Sequence, residues 1–254
     1  MSTVVVDHPA PGVARITITR PERRNALDVA TRAALGGAVT AALGDSAVRV
    51  LMFAGAGGNL SSGGDIQGME SDYEGAYRRI KASHLLIRPL ALAEKPVIVV
   101  AQGLVIGGAV GLIALADMVV GDSSTKVSFA FAKLGLVPDW GLMHLLPRRI
   151  GTARARRMFM TAATLDADAA LAAGLLDVNA EPGQAMDVAL THAVALAQGP
   201  VAALAAIKRG LSGSAEELDR ALEYEARAQA AALSGVEFRE GMAAFMEKRA
   251  VKFP

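Results

Sequence analysis

A single α/β domain with a helical carboxyl-terminal extension is the fold class the sequence predicts, and three observations predict it. Two-residue and 3.6-residue hydrophobic periods alternate through the first two thirds of the chain. Helical periods alone fill the last third. No linker, low-complexity tract or charge run separates the two parts. At 254 residues, 52% of them hydrophobic, the chain is long enough to bury one large core.

The elements follow in order. Ala14, Ile16 and Ile18 alternate with Arg15, Thr17 and Thr19, the period of a half-buried strand. Residues 21–28 read as a turn ending in the N-cap Asp28, after which Leu35, Ala38, Val39, Ala42 and Leu43 fall at helical spacing. An apolar strand at 48–53 leads into a first glycine-rich turn at 53–66. A helix through Tyr77, Ile80, His84, Ile87 and Leu90 is ended by Lys95-Pro96, because a residue before proline is steered out of the helical region. The strand at 97–101 leads into a second glycine-rich turn at 102–111 and an apolar helix. Short strands are expected at 118–121, 126–129 and 175–178. A helix is expected to begin at Trp140, and others at 153–161, 167–173, 184–197, 201–211, 215–233 and 235–249. Residues 96–116 are uncharged and long enough on paper to span a bilayer. Their opening β-branched run and Gly103, Gly107, Gly108 and Gly111 instead read as a strand, a turn and a buried helix.

Composition narrows the function classes. A formal net charge of +1 and few aromatic residues give no reason to expect nucleic acid. Zero cysteines exclude a disulfide framework, thiolate catalysis and cysteine-ligated zinc. His8, His84, His144 and His192 lie far apart with no HxxxH spacing, so no histidine metal site is expected. The amino terminus has neither a basic region nor a long apolar stretch, and a cytoplasmic protein without a membrane anchor is expected.

Each glycine-rich turn follows an apolar strand and precedes a helix. Such turns leave amide N–H groups unpaired and let a ligand approach the main chain. Two of them can aim two N–H groups at one oxygen, which is what polarising a carbonyl requires. Neither has the GxGxxG spacing of a dinucleotide site.

The order of motifs resembles the crotonase (enoyl-CoA hydratase/isomerase) superfamily. It runs Arg20-Pro-Glu-Arg-Arg-Asn-Ala-Leu27, Ser62-Gly-Gly-Asp-Ile66, Gly103-x-x-x-Gly-Gly108, Gly135-Leu-Val-Pro-Asp139 and Leu146-Pro-Arg, with a similar last helix from Phe238 to Arg249. The resemblance covers essentially the whole chain. It implies a crotonase fold, with a spiral of ββα units over 1–195 and a helical oligomerisation region over 196–254 of the same structural unit. It also implies a homotrimer or dimer of trimers and a pocket for an acyl-coenzyme A thioester. Apolar faces at 202–211 and 218–233 agree with such packing. Coenzyme A belongs to the substrate, so no separate cofactor is implied.

Carried over residue by residue, the resemblance puts the two oxyanion-hole N–H groups on Gly64 and Gly108. It assigns coenzyme A binding to Arg24, Ala26, Leu27, Ser62, Asp65, Ile66 and Lys248. An arginine at 24 can pair with a phosphate, and Lys248 can reach one across a subunit boundary. Ser61-Ser62 replaces the more usual Cys-Ala or Ala-Ala, which is tolerable where the backbone does the work. Phe131, Trp140 and Gly111 fall in the acyl pocket.

Hydration needs two carboxylates. The family's hydratases carry them at the positions held here by Gly111 and Phe131, so the usual route is disfavoured. Asp139, directly after Val137-Pro138, resembles the single carboxylate of members that move a double bond or isomerise ring epoxides. Two readings of Asp139 stand open: proton shuttle, or N-cap of a helix beginning at Trp140. Trp140 stands where a small residue is usual and is expected to narrow the pocket, stack on a substrate ring or cover the base. His144 reads as structural. The leading expectation is an enoyl-CoA isomerase. The alternatives are a non-catalytic acyl-CoA-binding homologue and a hydratase drawing on Glu70, Asp72 or Glu74.

Overall fold

The computed structural model describes residues 2–66, 69 and 72–254. Strands β1 (Val4–Ala10) and β2 (Val13–Ile18) form an antiparallel pair. To it β3 (Val50–Gly55), β4 (Val97–Ala101), a strand at Met118–Asp122 and another at Val178–Ala180 add in parallel. A second sheet joins β5 (Leu104–Ile106), a strand at Lys126–Ser128 and one at Thr164–Leu165. In chain order these are β6 (Met118–Asp122), β7 (Lys126–Ser128), β8 (Thr164–Leu165) and β9 (Val178–Ala180). Each turn of the chain gives one strand to the large sheet and the next to the small one, as β4 then β5 and β6 then β7 do. Ser61 extends the small sheet by an isolated parallel bridge to Val105. This is the ββα spiral of the crotonase fold.

The sheet is covered on both faces, which is why β3 and β4 carry uninterrupted apolar runs. Leu51, Phe53, Val97 and Val99 face the main core, shared with α1 (Val29–Gly44), α2 (Tyr73–Ala91) and α3 (Ala109–Leu115). Val50, Met52, Ala54, Ile98 and Val100 face the opposite way. They meet Ala185, Ala189, Ala193 and Ala197. That alanine at every fourth position gives a smooth stripe on a helix at Ala185–Ala197, close to the expected 184–197. By contrast, β2 buries Ala14, Ile16 and Ile18 on the main-core face, as its alternation predicts, while on the other face Val13 is buried against that same helix and Arg15 and Thr17 are half-buried.

The helices of the second half are α4 (Leu142–Ile150), α5 (Thr152–Met160), α6 (Ala167–Ala173), α7 (Ala185–Ala197), α8 (Val201–Leu211), α9 (Ala215–Ser234) and α10 (Val236–Met246). The strand expected at 175–178 lies later, at β9, and Leu175 and Leu176 fill the core as loop residues after Gly174. The strands β1, β5 and β8 had no periodic signal. β1 is largely exposed and interrupted by Asp7, His8 and Pro9, whereas β5 lies inside the second glycine-rich turn. Residues 96–116 form β4, β5 and α3, and among the described residues no single helix is long and apolar enough to cross a membrane.

The expectation that the 218–233 face needs a second subunit is corrected. Leu218, Leu222, Ala226, Ala230 and Leu233 are buried in this chain's own core. Ion pairs from Arg88 to Asp219 and from Lys81 to Glu223 tie α9 to α2. The α8 residues Val201, Ile207 and Leu211 remain exposed.

Candidate active site

The two glycine-rich turns lie side by side. Ser61 N–H donates to Leu104 and Ile106 N–H donates to Ser61, at 2.9 and 3.1 Å. Gly63 has φ +88°, and a Cβ there would stand 2.7 Å from the Ile106 carbonyl oxygen, so only glycine permits the approach. Leu27 N–H donates to the Gly63 carbonyl oxygen at 2.8 Å and fixes the first turn from behind. Gly107 N–H donates to Ser128 at 3.0 Å and fixes the second. Gly108 then opens α3. Neither Gly64 nor Gly108 donates its N–H to any group among the described residues, and both line one cavity of about 360 Å³.

Asp139 lines the same cavity and is 7% exposed. Burial is the largest influence on its carboxyl and pushes the pKa up to about 6; Arg32, Arg79 and a hydrogen bond with Gln229 pull the other way. Asp139 is not the cap of a helix beginning at Trp140. Trp140 and Gly141 both take positive φ, at +60° and +76°, so the helix starts only at Leu142, and Gly141 is its N-cap with no bond from its own side chain.

The capping is done by α9. Glu225, fully buried, accepts from Gly141 N–H and Met143 N–H, each at 2.7 Å. Its own pKa is pushed up to about 8, chiefly by burial, with the two backbone bonds opposing and Asp139 adding to the rise. One helical turn on, Gln229 Oε1 accepts from Val137 N–H at 2.9 Å. These two side chains, four residues apart on one face of α9, hold the segment on both sides of Asp139.

Trp140 is 1% exposed and lies against the second turn. A Cβ on Gly108 would stand 2.9 Å from its Nε1; one on Gly111 would stand 2.8 Å from both its Cβ and its carbonyl oxygen. The indole thus needs a glycine at 108, while the Cβ and backbone carbonyl of Trp140 need one at 111. Trp140 forms part of the cavity wall together with Asp139 and Gly108.

Among the expected residues, Arg24, Ser62, Gly64, Ile66, Gly108, Phe131, Asp139 and Trp140 line the cavity together. Gly111 does not, being covered by Trp140. Ala26 does not either: its N–H donates to Arg23 and its carbonyl accepts from Arg20. Leu27 and Asp65 line a smaller neighbouring recess beside Asp28. Lys248 lies just past the end of α10 and outside the cavity lining, to which that helix contributes Phe245. Asp72 is occupied as the N-cap of α2, and Glu74 is exposed; neither lines the cavity. Glu70 lies outside the described residues. His144 sits on α4 and does not line the cavity.

Sequence reasoning missed Arg32, Gln229 and Lys133, which also line the cavity, and Glu225 behind it. Three of them carried a signal. Arg32 lies three residues before Leu35 on the buried stripe of α1, and Glu225 and Gln229 lie on the stripe of Leu222 and Leu233. A charged or polar residue on an apolar stripe marks either a satisfied core group or a site.

The model of the enoyl-CoA hydratase/isomerase family matches residues 9–254. The chain is 32% identical to a 1,2-epoxyphenylacetyl-CoA isomerase of Escherichia coli, covering 100% of this chain and 99% of that protein. It is 34% identical to a "Probable enoyl-CoA hydratase" of Rhodobacter capsulatus, covering 95% and 94%. Among solved structures, an enoyl-CoA hydratase of Mycobacterium avium subsp. paratuberculosis superposes with a TM-score of 0.90 at 30% identity, covering 99% and 98%.

Proposed function

The chain belongs to the enoyl-CoA hydratase/isomerase family, and from that premise we propose that it is an acyl-coenzyme A isomerase with Asp139 as its proton shuttle. One observation carries the reading: Asp139 is the sole carboxylate among the described residues that line the cavity holding Gly64 and Gly108.

In the proposed step, the Asp139 carboxylate takes a proton from C2 of a 3-enoyl thioester. The electron pair moves into the thioester carbonyl, giving an enolate whose oxygen accepts from Gly64 and Gly108 N–H. The helix start at Gly108 favours that negative charge. The enolate collapses, C4 takes the proton back from Asp139, and the double bond lies between C2 and C3. The proton removed is the proton returned, so one carboxyl group suffices. A pKa of about 6 leaves it ionised at neutral pH yet more basic than an ordinary aspartate. Arg24 and Lys133 bring positive charge to the cavity lining, suited to the phosphates of coenzyme A.

Purified protein incubated separately with 3-enoyl-CoA and 2-enoyl-CoA, with products read by mass spectrometry and chromatography, tests the reading. Isomer without a mass change is expected. Gain of one water from 2-enoyl-CoA would replace it with hydration, and binding without turnover would leave an acyl-CoA-binding protein. We further propose a trimer or dimer of trimers, supported by Val201, Ile207 and Leu211 on α8, which are 50%, 59% and 74% exposed. Light scattering at micromolar concentration that returns a monomer overturns it.

A further inference from the structure

Arg32 is the one charged residue of α1 and points inward, nine-tenths buried. Its Nε donates to the Leu27 carbonyl oxygen at 3.0 Å, while its buried Nη1 has no hydrogen-bond partner. Nη2 lies 3.2 Å from where a Cβ on Gly64 would stand, which puts the guanidinium beside one half of the oxyanion pair. Its central carbon lies 6.0 Å from the centre of the Trp140 ring. The carboxylates whose charge it feels are Asp139 and Asp28, and no ion pair within 4 Å joins it to either among the described residues. Asp28 is committed elsewhere, pairing with Arg20 at 3.0 Å and capping α1 through Thr31 N–H.

A buried guanidinium with an unused donor is unfavourable unless something in the working complex accepts from it. The cavity around it is otherwise mostly apolar, with Ile66, Met69, Ile106, Phe131, Leu136 and Trp140 in its wall. A hydrocarbon acyl chain would fill that space and leave Nη2, the donor beside Gly64, without an acceptor. An acyl-group oxygen within reach of Nη2 would accept from it, at charge-assisted strength.

We propose that Arg32 makes this cavity selective for acyl thioesters carrying an oxygen acceptor within a few bonds of the thioester carbonyl. Its position beside Gly64 sets that short reach, and a keto, epoxide or carboxylate oxygen shares the required chemistry. The assignment deepens the acyl-coenzyme A reading above and rests on it.

Calorimetric titration of the full-length protein with free coenzyme A, butyryl-CoA, acetoacetyl-CoA and succinyl-CoA tests it. Acetoacetyl-CoA or succinyl-CoA is expected to bind about tenfold or more tightly than butyryl-CoA, and the tighter of the two tells a keto oxygen from a carboxylate. Arg32→Met is expected to abolish the preference and Arg32→Lys to keep part of it. Equal affinity of the parent for all three thioesters overturns the proposal while leaving the acyl-CoA reading intact. A preference that survives Arg32→Met also overturns it. Failure of coenzyme A and every thioester to bind overturns both readings together. Should Arg32→Met not fold, the parent's own ranking of the three thioesters decides.

Discussion

Asp139→Asn separates the chemistry of this site from its stability, and the two should move in opposite directions. The substitution keeps the side chain's shape and its capacity to bond Gln229 but removes the base. Isomerisation is expected to fall about 10²–10⁴-fold, the usual contribution of a general base. The stability effect follows from burial. The Asp139 pKa is about 6 in the folded chain against an ordinary 3.8, so the unfolded chain ionises first as pH rises. Native stability is therefore fully present below about pH 4, declines as pH rises to about 6, and is level above that. At about 1.4 kcal/mol per pH unit, the ionised, buried Asp139 costs about 3 kcal/mol at neutral pH. The amide carries no such penalty. Asp139→Asn is expected to melt on the order of 6–12 °C above the parent at pH 7.5 and to match it at pH 4. Paired thermal melts at the two pH values, beside a 3-enoyl-CoA isomerisation assay, measure both effects. A variant as active as the parent refutes the shuttle. Equal melting temperatures at pH 7.5 refute the electrostatic argument.

Three further outcomes follow from the same geometry. The parent's kcat/KM for 3-enoyl-CoA should rise about tenfold per pH unit below about pH 6 and level off above it, because only the ionised Asp139 accepts a proton; a profile flat from pH 5 to 8 contradicts this. Glu225→Ala should cost roughly 1–3 kcal/mol in denaturant unfolding, since it strands the buried Gly141 N–H and the Met143 N–H, and should lower kcat more than it raises KM. An unchanged midpoint would show that α4 does not need this cap. Gly111→Glu should lower the melting temperature and confer no hydration, because its Cβ would stand 2.8 Å from Trp140 Cβ and carbonyl oxygen. Adding Trp140→Gly should not restore the melting temperature, because the residue-140 carbonyl oxygen still stands 2.8 Å from that Cβ and the lost indole leaves a cavity; full recovery would show that the side chain alone makes the clash.

Periodicity made the parallel core legible. Residues 97–101, 167–173 and 201–211 were read with the bounds the structure has, because their apolar patterns are set by burial within one element. The start of α4 was not legible. Pro138-Asp139 reads locally as a helix start, but the left-handed backbone at Trp140 and Gly141 delays the helix to Leu142, and the capping carboxylate arrives from Glu225, more than eighty residues away in sequence. The same limit applies to α9, whose apolar face looked like an interface because nothing local reveals that α2 lies on it.

The candidate site was legible where backbone does the work and illegible where one side chain explains another. Gly108 is placed where the turn after β5 opens α3 and Gly64 by its bridge to Leu27, and both lie in glycine-rich stretches that the sequence shows. Trp140, by contrast, looked intrusive against the motif around it, and Gly111 looked like a lost carboxylate. The structure makes these one fact. The indole is held at φ +60° with its Nε1 against Gly108 and its Cβ and carbonyl oxygen against Gly111, so the space a residue-111 side chain would enter is filled. A bulky residue in left-handed backbone is strained and persists only where its surroundings over-determine it. Here Gly108 admits the ring, Gly111 admits the Cβ and carbonyl oxygen of Trp140, and Glu225 accepts the N–H of the next residue, Gly141. Occupying that space leaves the cavity with one carboxylate on its described wall, together with the buried guanidinium of Arg32, and one carboxylate suits a proton that leaves and returns better than a water that must be both activated and added.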